Sequence, residues 1–254
     1  MKLLAIDTST DALHIAASDG VQVWAHSEPG GAQASLRLIP AILTLLARAQ
    51  LELPQLRAIA FGAGPGAFTG LRTACAVAQG LAFGAGIAVL PVCSLLALAE
   101  SAHHANGARR VLAVLDARMD EVYAASYEFD SGTGKQIDGY QVISPEKLAL
   151  PAVWHDTPAP WLLAGNAHAV YGPRLSAGLA PALAALRSDA HAVPTALALL
   201  RLAPGLLAAG GALRPEQAYP LYVRNRVAQT SAEQAASHQQ KAAQQKVALQ
   251  GAAA

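Results

Sequence analysis

At 254 residues, 53% of them hydrophobic, and with a formal net charge of +1, the chain can bury a sizeable core in one large domain or two modest ones. The near-zero charge and the lack of a Lys/Arg stripe argue against dominant contact with a nucleic-acid backbone, and no uninterrupted apolar run is long enough to span a bilayer. Met1-Lys2 leads into a strand with no signal-peptide pattern, and Cys75 and Cys93, in apolar surroundings, read as buried thiols of a reducing cytoplasm.

Lys2 to Ile6 is an apolar strand, and Ala12 to Ala17 and Val21 to His26 read as two more, with Asp19-Gly20 as the hairpin signal. After the Pro29-Gly30-Gly31 break, the spacing predicts a helix over Ser35 to Gln50. A strand at Leu56 to Phe61, a helix at Thr69 to Ala85, a strand at Ile87 to Val92 and a helix at Ser94 to His104 follow. The order βββαβαβα implies a mixed sheet with helices packed on it. Asn106-Gly107 then marks a boundary, because the pattern starts again. Strands are predicted at Val111 to Leu115, Glu121 to Phe129, Ile137 to Ile143 and Trp161 to Ala164, and helices around Ala167 to Ala177 and Pro194 to Ala209. The expected organisation is two α/β subdomains, 1–106 and 107–226, and a tail over 227–254. That tail is rich in Ala and Gln and has too little apolar surface to offset its ordering entropy, so disorder is expected of it.

On the first helix, Ile39, Ile42 and Leu46 read as the core face. Arg37, Ala41, Thr44 and Arg48 form the opposite stripe, flanked by Leu36, Leu38, Leu43 and Leu45. On the second, Ala74, Ala78, Leu81 and Ala85 read inward, and Arg72, Ala76, Gln79 and Phe83 outward, with Thr73 and Gly80 beside them. Helices apolar over most of their circumference are normally buried. Either the chain's own second half covers these faces or a partner does.

Phe61 to Arg72 is the most distinctive stretch, with four glycines and Pro65 between an apolar strand and a small-residue helix. Such a turn either closes tightly or holds an anion at the helix N-terminus. It lacks the Lys-Ser/Thr of a P-loop and the spacing of a dinucleotide fingerprint. No nucleophile–base set stands out around Ser9, Ser94 or Thr69, and no Gly-x-Ser-x-Gly or His-Glu-x-x-His occurs.

Gly64-Pro65-Gly66-Ala67-Phe68-Thr69-Gly70-Leu71-Arg72 resembles the signature of the bacterial TsaB (YeaZ) family. The resemblance extends from Leu3-Leu4-Ala5-Ile6-Asp7-Thr8-Ser9-Thr10, through Asp116-Ala117-Arg118-Met119-Asp120-Glu121-Val122-Tyr123, to Tyr222-Val223-Arg224-Asn225, nearly everything except the tail. It implies a duplicated actin/Hsp70/sugar-kinase-like fold with a cleft between two halves, in which Gly64, Pro65, Gly66 and Gly70 are a structural motif. It also implies a non-catalytic scaffold subunit of the complex that installs N6-threonylcarbamoyl on adenosine 37 of tRNAs reading codons that begin with A. The implied partners are the catalytic subunit TsaD, the ATPase TsaE and, through the same helices, a second copy; tRNA is reached only through the complex. The docking surface would comprise Arg37, Ala41, Thr44, Leu45, Arg48, Arg72, Thr73, Ala76, Gln79, Gly80 and Phe83.

The metal-binding His-x-x-x-His of TsaD corresponds here to Ser94 and Leu98, so no metal site is expected. Phosphate loops of this superfold correspond to Asp7-Thr8-Ser9-Thr10, which lacks the usual glycine, and to the loop at Asp116, which has three carboxylates and none. No intrinsic cofactor is expected, and ATP or ADP would bind only at a site shared with the partner. A free-standing kinase or ATPase using Asp7 and Asp116 is the alternative, with a metallopeptidase ranked below it.

Overall fold

In the computed structural model, Leu3–Asp7 (β1) is buried along its whole length, as the unbroken apolar run demands of a strand covered on both faces. It pairs antiparallel with β2 (Ala12–Ser18), which pairs antiparallel with β3 (Val23–Pro29). On its other side it runs parallel to β4 (Ala58–Gly64), which runs parallel to β5 (Ala88–Cys93). The five strands lie in the order β3-β2-β1-β4-β5. The structure describes residues 1–31, 34–130, 133–155, 160–179 and 186–223, all within one unit, Met1–Val223. The expected tail, 227–254, and the Arg224-Asn225 pair lie outside the described residues.

The second half repeats this layout. Its strands are β6 (Arg110–Arg118), β7 (Glu121–Asp130), β8 (Thr133–Gln136), β9 (Gln141–Ile143), β10 (Trp161–Ala164) and β11 (Leu186–Asp189). The path β8-β7-β6-β10-β11 has the same antiparallel and parallel relations as the first sheet. Of the single strand predicted over Ile137 to Ile143 only β9 forms, and β8 lies ahead of it. β8 and β9 pair with opposite ends of β7, because Asp138-Gly139 interrupts the run. The edge strand β11, Leu-Arg-Ser-Asp, carries no apolar alternation and was not predicted.

The helices are α1 (Ala34–Ala49), α2 (Phe68–Ala85), α3 (Ser94–Asn106), α4 (Ala152–His155), α5 (Ala167–Gly178) and α6 (Ala196–Ala208). Alternate residues of the central strands feed opposite cores. Leu4, Ile6, Ile59 and Phe61 pack with α1 and α2, whereas Leu3, Ala5, Ala58 and Ala60 pack with α6. In the second sheet, Val111, Ala113 and Leu115 pack with α3, and Leu112 and Val114 with Trp154 and Tyr171. Each sheet is thus covered on one face by a helix that follows the other half's strands in the chain: α6 lies on the first sheet and α3 mainly on the second, and the two helices touch.

The rotation of α1 differs from the helical-wheel expectation. Its buried residues are Ala34, Leu38, Ile42, Leu45, Leu46 and Ala49, while Ile39 is 42% exposed. Leu45, expected on the docking surface, is in the core. The apolar stripe on this helix is too broad to have a polar boundary, so contact with β2 and α2 sets its angle. On α2, Leu71, Cys75 and Ala82 join Ala74 and Ala78 in the core, and Leu81 is half-buried.

Candidate functional site

The β1–β2 hairpin loop carries Asp7, Thr8, Ser9 and Thr10 at the end of the central strand. Asp7, Thr8 and Ser9 are buried and Thr10 is half-buried. The Ser9 backbone N–H and hydroxyl both donate to Asp7 Oδ1, at 2.9 and 2.7 Å, closing a local turn. Asp7 Oδ2 is buried and has no hydrogen-bond partner among the described residues. Burial pushes the Asp7 carboxyl up to about 6, against the smaller downward pull of the Ser9 bonds.

What buries this loop is the glycine-rich turn between β4 and α2. Ala67 N–H donates to Ser9 O at 2.8 Å, and Thr8 Oγ1 donates to Gly70 O at 2.7 Å. A Cβ on Gly70 would lie 1.8 Å from Thr8 O, one on Gly66 2.5 Å from Ser9 O, and one on Gly62 2.0 Å from Asp7 Oδ2. Gly66 and Gly70 are therefore required for backbone-to-backbone approach, and Gly62 for room beside the Asp7 carboxylate. The motif forms a tight turn that packs against the β1–β2 hairpin loop.

The β6–β7 loop is built differently. Arg118, Met119 and Asp120 all have positive φ, at 62°, 55° and 59°, with no glycine among them. Asp116 braces this turn. Its Oδ1 accepts from Arg118 N–H at 2.7 Å and from the Tyr171 hydroxyl at 3.1 Å, and Oδ2 lies 3.2 Å from Arg118 Nη1. Arg174 ties Asp120 to Glu146 at 3.0 and 2.9 Å. Asp116 and Asp120 of the loop thus meet guanidinium and hydroxyl groups of this same chain. Among the described residues no group of three His, Cys, Asp or Glu side chains is placed to hold a metal ion.

The outward stripe of α2 is at the surface. Arg72, Ala76, Gly80 and Phe83 are exposed, Phe83 at 76%, and Thr73 and Gln79 are half-buried. On α1, Arg37, Thr44 and Arg48 are exposed and Ala41 is half-buried, while Leu36 is 78% exposed beside Ile39 and Leu43. Two of these residues also have an intramolecular task that the sequence did not disclose. The segment Pro215–Tyr222 runs back along α2, where Gln79 Nε2 donates to Pro215 O and Ala218 O, both at 2.9 Å. Arg72 Nε donates to the Tyr222 hydroxyl at 3.0 Å, with its guanidinium 3.7 Å from the Phe68 ring centroid. Leu221 N–H closes the strap onto Ala63 O at 2.6 Å. The Tyr222-Val223 pair that opens the last sequence motif was its one visible trace.

Two sheets of the same strand order, each with a hairpin loop after its central strand, define a duplicated α/β fold of the actin/Hsp70/sugar-kinase type. A family model described as TsaD, tRNA N6-adenosine threonylcarbamoyltransferase, matches residues 21–253. The tRNA threonylcarbamoyladenosine biosynthesis protein TsaB of Escherichia coli K12 is 35% identical over 231 residues, covering 90% of this chain and 96% of that protein. The protein of the same name from Haemophilus influenzae is 34% identical over 235 residues, covering 89% and 95%. The solved structure of YeaZ from Pseudomonas aeruginosa superposes with a TM-score of 0.79 at 39% identity, covering 87% of this chain and 99% of that one. The chain belongs to the TsaB (YeaZ) family.

Proposed function

We propose that this protein is the non-catalytic scaffold subunit of the cytoplasmic machinery that makes threonylcarbamoyladenosine in tRNA. In this reading it docks on a TsaD-type catalytic subunit through the outward faces of α1 and α2, with a TsaE-type ATPase as a further partner. The observation that carries the reading is the apolar character of those faces: Leu36, Leu43 and Phe83 are all more than half exposed on adjacent helices. Ala76 and Gly80 leave room for close approach, and Phe83 supplies an aromatic anchor of the kind that dominates interface energetics. The same surface serves a second copy when TsaD is absent. Because the chain's own turn lies over Asp7, Thr8 and Ser9, ATP or ADP would need groups from the partner to complete a site.

The test is binding to the cognate TsaD by size exclusion and calorimetry, with and without ATP. Among the described residues nothing lies within 4 Å of a Cβ at Gly80, so Gly80→Arg should leave the fold intact. Gly80→Arg and Phe83→Asp should each weaken the complex by about a hundredfold, corresponding to the loss of a central contact. Undiminished binding by both variants would overturn the docking surface. ATP turnover by the isolated chain, lost in Asp7→Ala, would replace the scaffold reading with the kinase-like one.

A further inference from the structure

We propose that the edge of β3, with the groove between it and α1, takes up an extended acidic peptide by strand addition. Among the described residues β3 is the terminal strand of its sheet and pairs only with β2, in a register that runs unbroken from Ala12↔Pro29 to Ser18↔Val23. Seven residues of strand present about 23 Å of outward backbone N–H and C=O groups. Such an edge is a template for a further strand unless a bulge, lysine or proline blunts it. β3 has no bulge and no lysine, and its one proline, Pro29, is the last residue.

Beside this edge lies a groove of about 400 Å³ whose walls come from two elements. His26 and Glu28 form the strand wall; Arg37, Pro40, Ala41 and Arg48 stand on the α1 wall. An edge strand beside a helix is the arrangement by which peptide-binding domains extend a sheet, with main-chain bonds supplying affinity and alternate side chains entering the groove. The charge in the groove selects the peptide. Glu28 Oε2 lies 3.3 Å from His26 Nε2, an ion pair only when the imidazole is protonated, and among the described residues it is the one carboxylate lining the groove, against the two guanidiniums of Arg37 and Arg48. Arg48 is exposed and has no ion-pair partner among the described residues. The surplus is positive, and a carboxylate on the added strand answers it. Pro40 and Ala41 offer apolar contact to the side chain two residues along.

The proposal goes beyond the docking of a catalytic subunit, although the two share the α1 wall, and it is tested on the isolated chain. The probe is a capped, fluorescein-labelled Val-Glu-Val-Glu-Val peptide, titrated by fluorescence polarisation at low ionic strength. Saturable binding is expected, with the Val-Lys-Val-Lys-Val peptide at least about tenfold weaker. N-methylation of alternate peptide nitrogens should abolish it, since strand addition needs those donors. Arg48→Glu should invert the preference between the acidic and basic peptides, and Ala41→Trp, which fills the groove, should remove both. Circular dichroism confirms that each variant is folded. Equal binding of the N-methylated peptide, indifference to peptide charge, or no binding up to about 1 mM overturns the proposal, and none of these outcomes touches the TsaD reading.

Discussion

The two hairpin loops occupy equivalent positions in the duplicated sheets and are secured by opposite means. The first, after β1, is covered by backbone: glycines at 62, 66 and 70 let a neighbouring turn come within contact distance of Asp7, Ser9 and Thr8. The second, after β6, is held by side chains, with Asp116, Arg118, Tyr171 and Arg174 bracing three left-handed residues. One topology therefore accommodates a sealed loop and a braced one. The sealed loop is intolerant of added atoms, whereas the braced loop depends on ion pairs that water screens. Small substitutions should act on the two very differently.

The largest effect is expected at Gly70. Its Cβ would meet a carbonyl oxygen at 1.8 Å, and neither backbone can yield without breaking the Ala67 and Thr8 hydrogen bonds. Gly70→Ala should cost about 3 kcal/mol or more in urea unfolding. Gly80→Ala, in the same helix with open space around it, should instead stabilise by about 0.5–1 kcal/mol. Equal effects at the two positions would mean that the turn does not seal the first loop.

Asp7 makes the comparison sensitive to pH. Its carboxyl is raised from 3.8 to about 6 on folding, so the native state holds this proton more tightly than the unfolded chain does. Its contribution is complete below about pH 4 and is lost as pH rises toward 6, a fall of up to about 3 kcal/mol. Asp7→Asn keeps an acceptor for Ser9 and removes the charge. The variant should lack this fall and be more stable than the parent at pH 7.5, as read from urea midpoints across pH 4–7.5.

A smaller loss, about 1–2 kcal/mol, is expected for Gln79→Ala, which removes one of the donors to each of the carbonyls of Pro215 and Ala218. Faster proteolysis within the strap should accompany it. The smallest effect lies in the braced loop. Met119→Gly removes a side chain from a left-handed position and should stabilise by about 0.5–1 kcal/mol. A loss there would show that the Met119 side chain itself holds the turn.

Much of this molecule was legible in the chain. The apolar runs of β1, β4, β6 and β10, the punctuating glycines and prolines and the repeated element order gave the architecture and its duplication, because burial on both faces leaves an unbroken apolar signature. The Gly-Pro-Gly motif was visible too, but not which of its two chemistries applied. Only Thr8, Ser9 and Asp7, distant in sequence, show that Gly66 and Gly70 admit neighbouring backbone and Gly62 a carboxylate. β11 escaped because an edge strand needs no apolar alternation, and the strap escaped because its bonds join Gln79 and Arg72 to carbonyls and a hydroxyl about 140 residues away.

The sequence by itself determined most of the strands and helices, β8, β11 and α4 excepted, since period and punctuation are local properties of the chain. The tertiary structure decided how α1 is turned, that α3 and α6 each lie on the sheet of the other half, and that the first hairpin loop is closed. Those outcomes depend on contacts between residues far apart in the chain. A helix rich in leucine and alanine on nearly every side offers no local preference among them, so packing makes the choice.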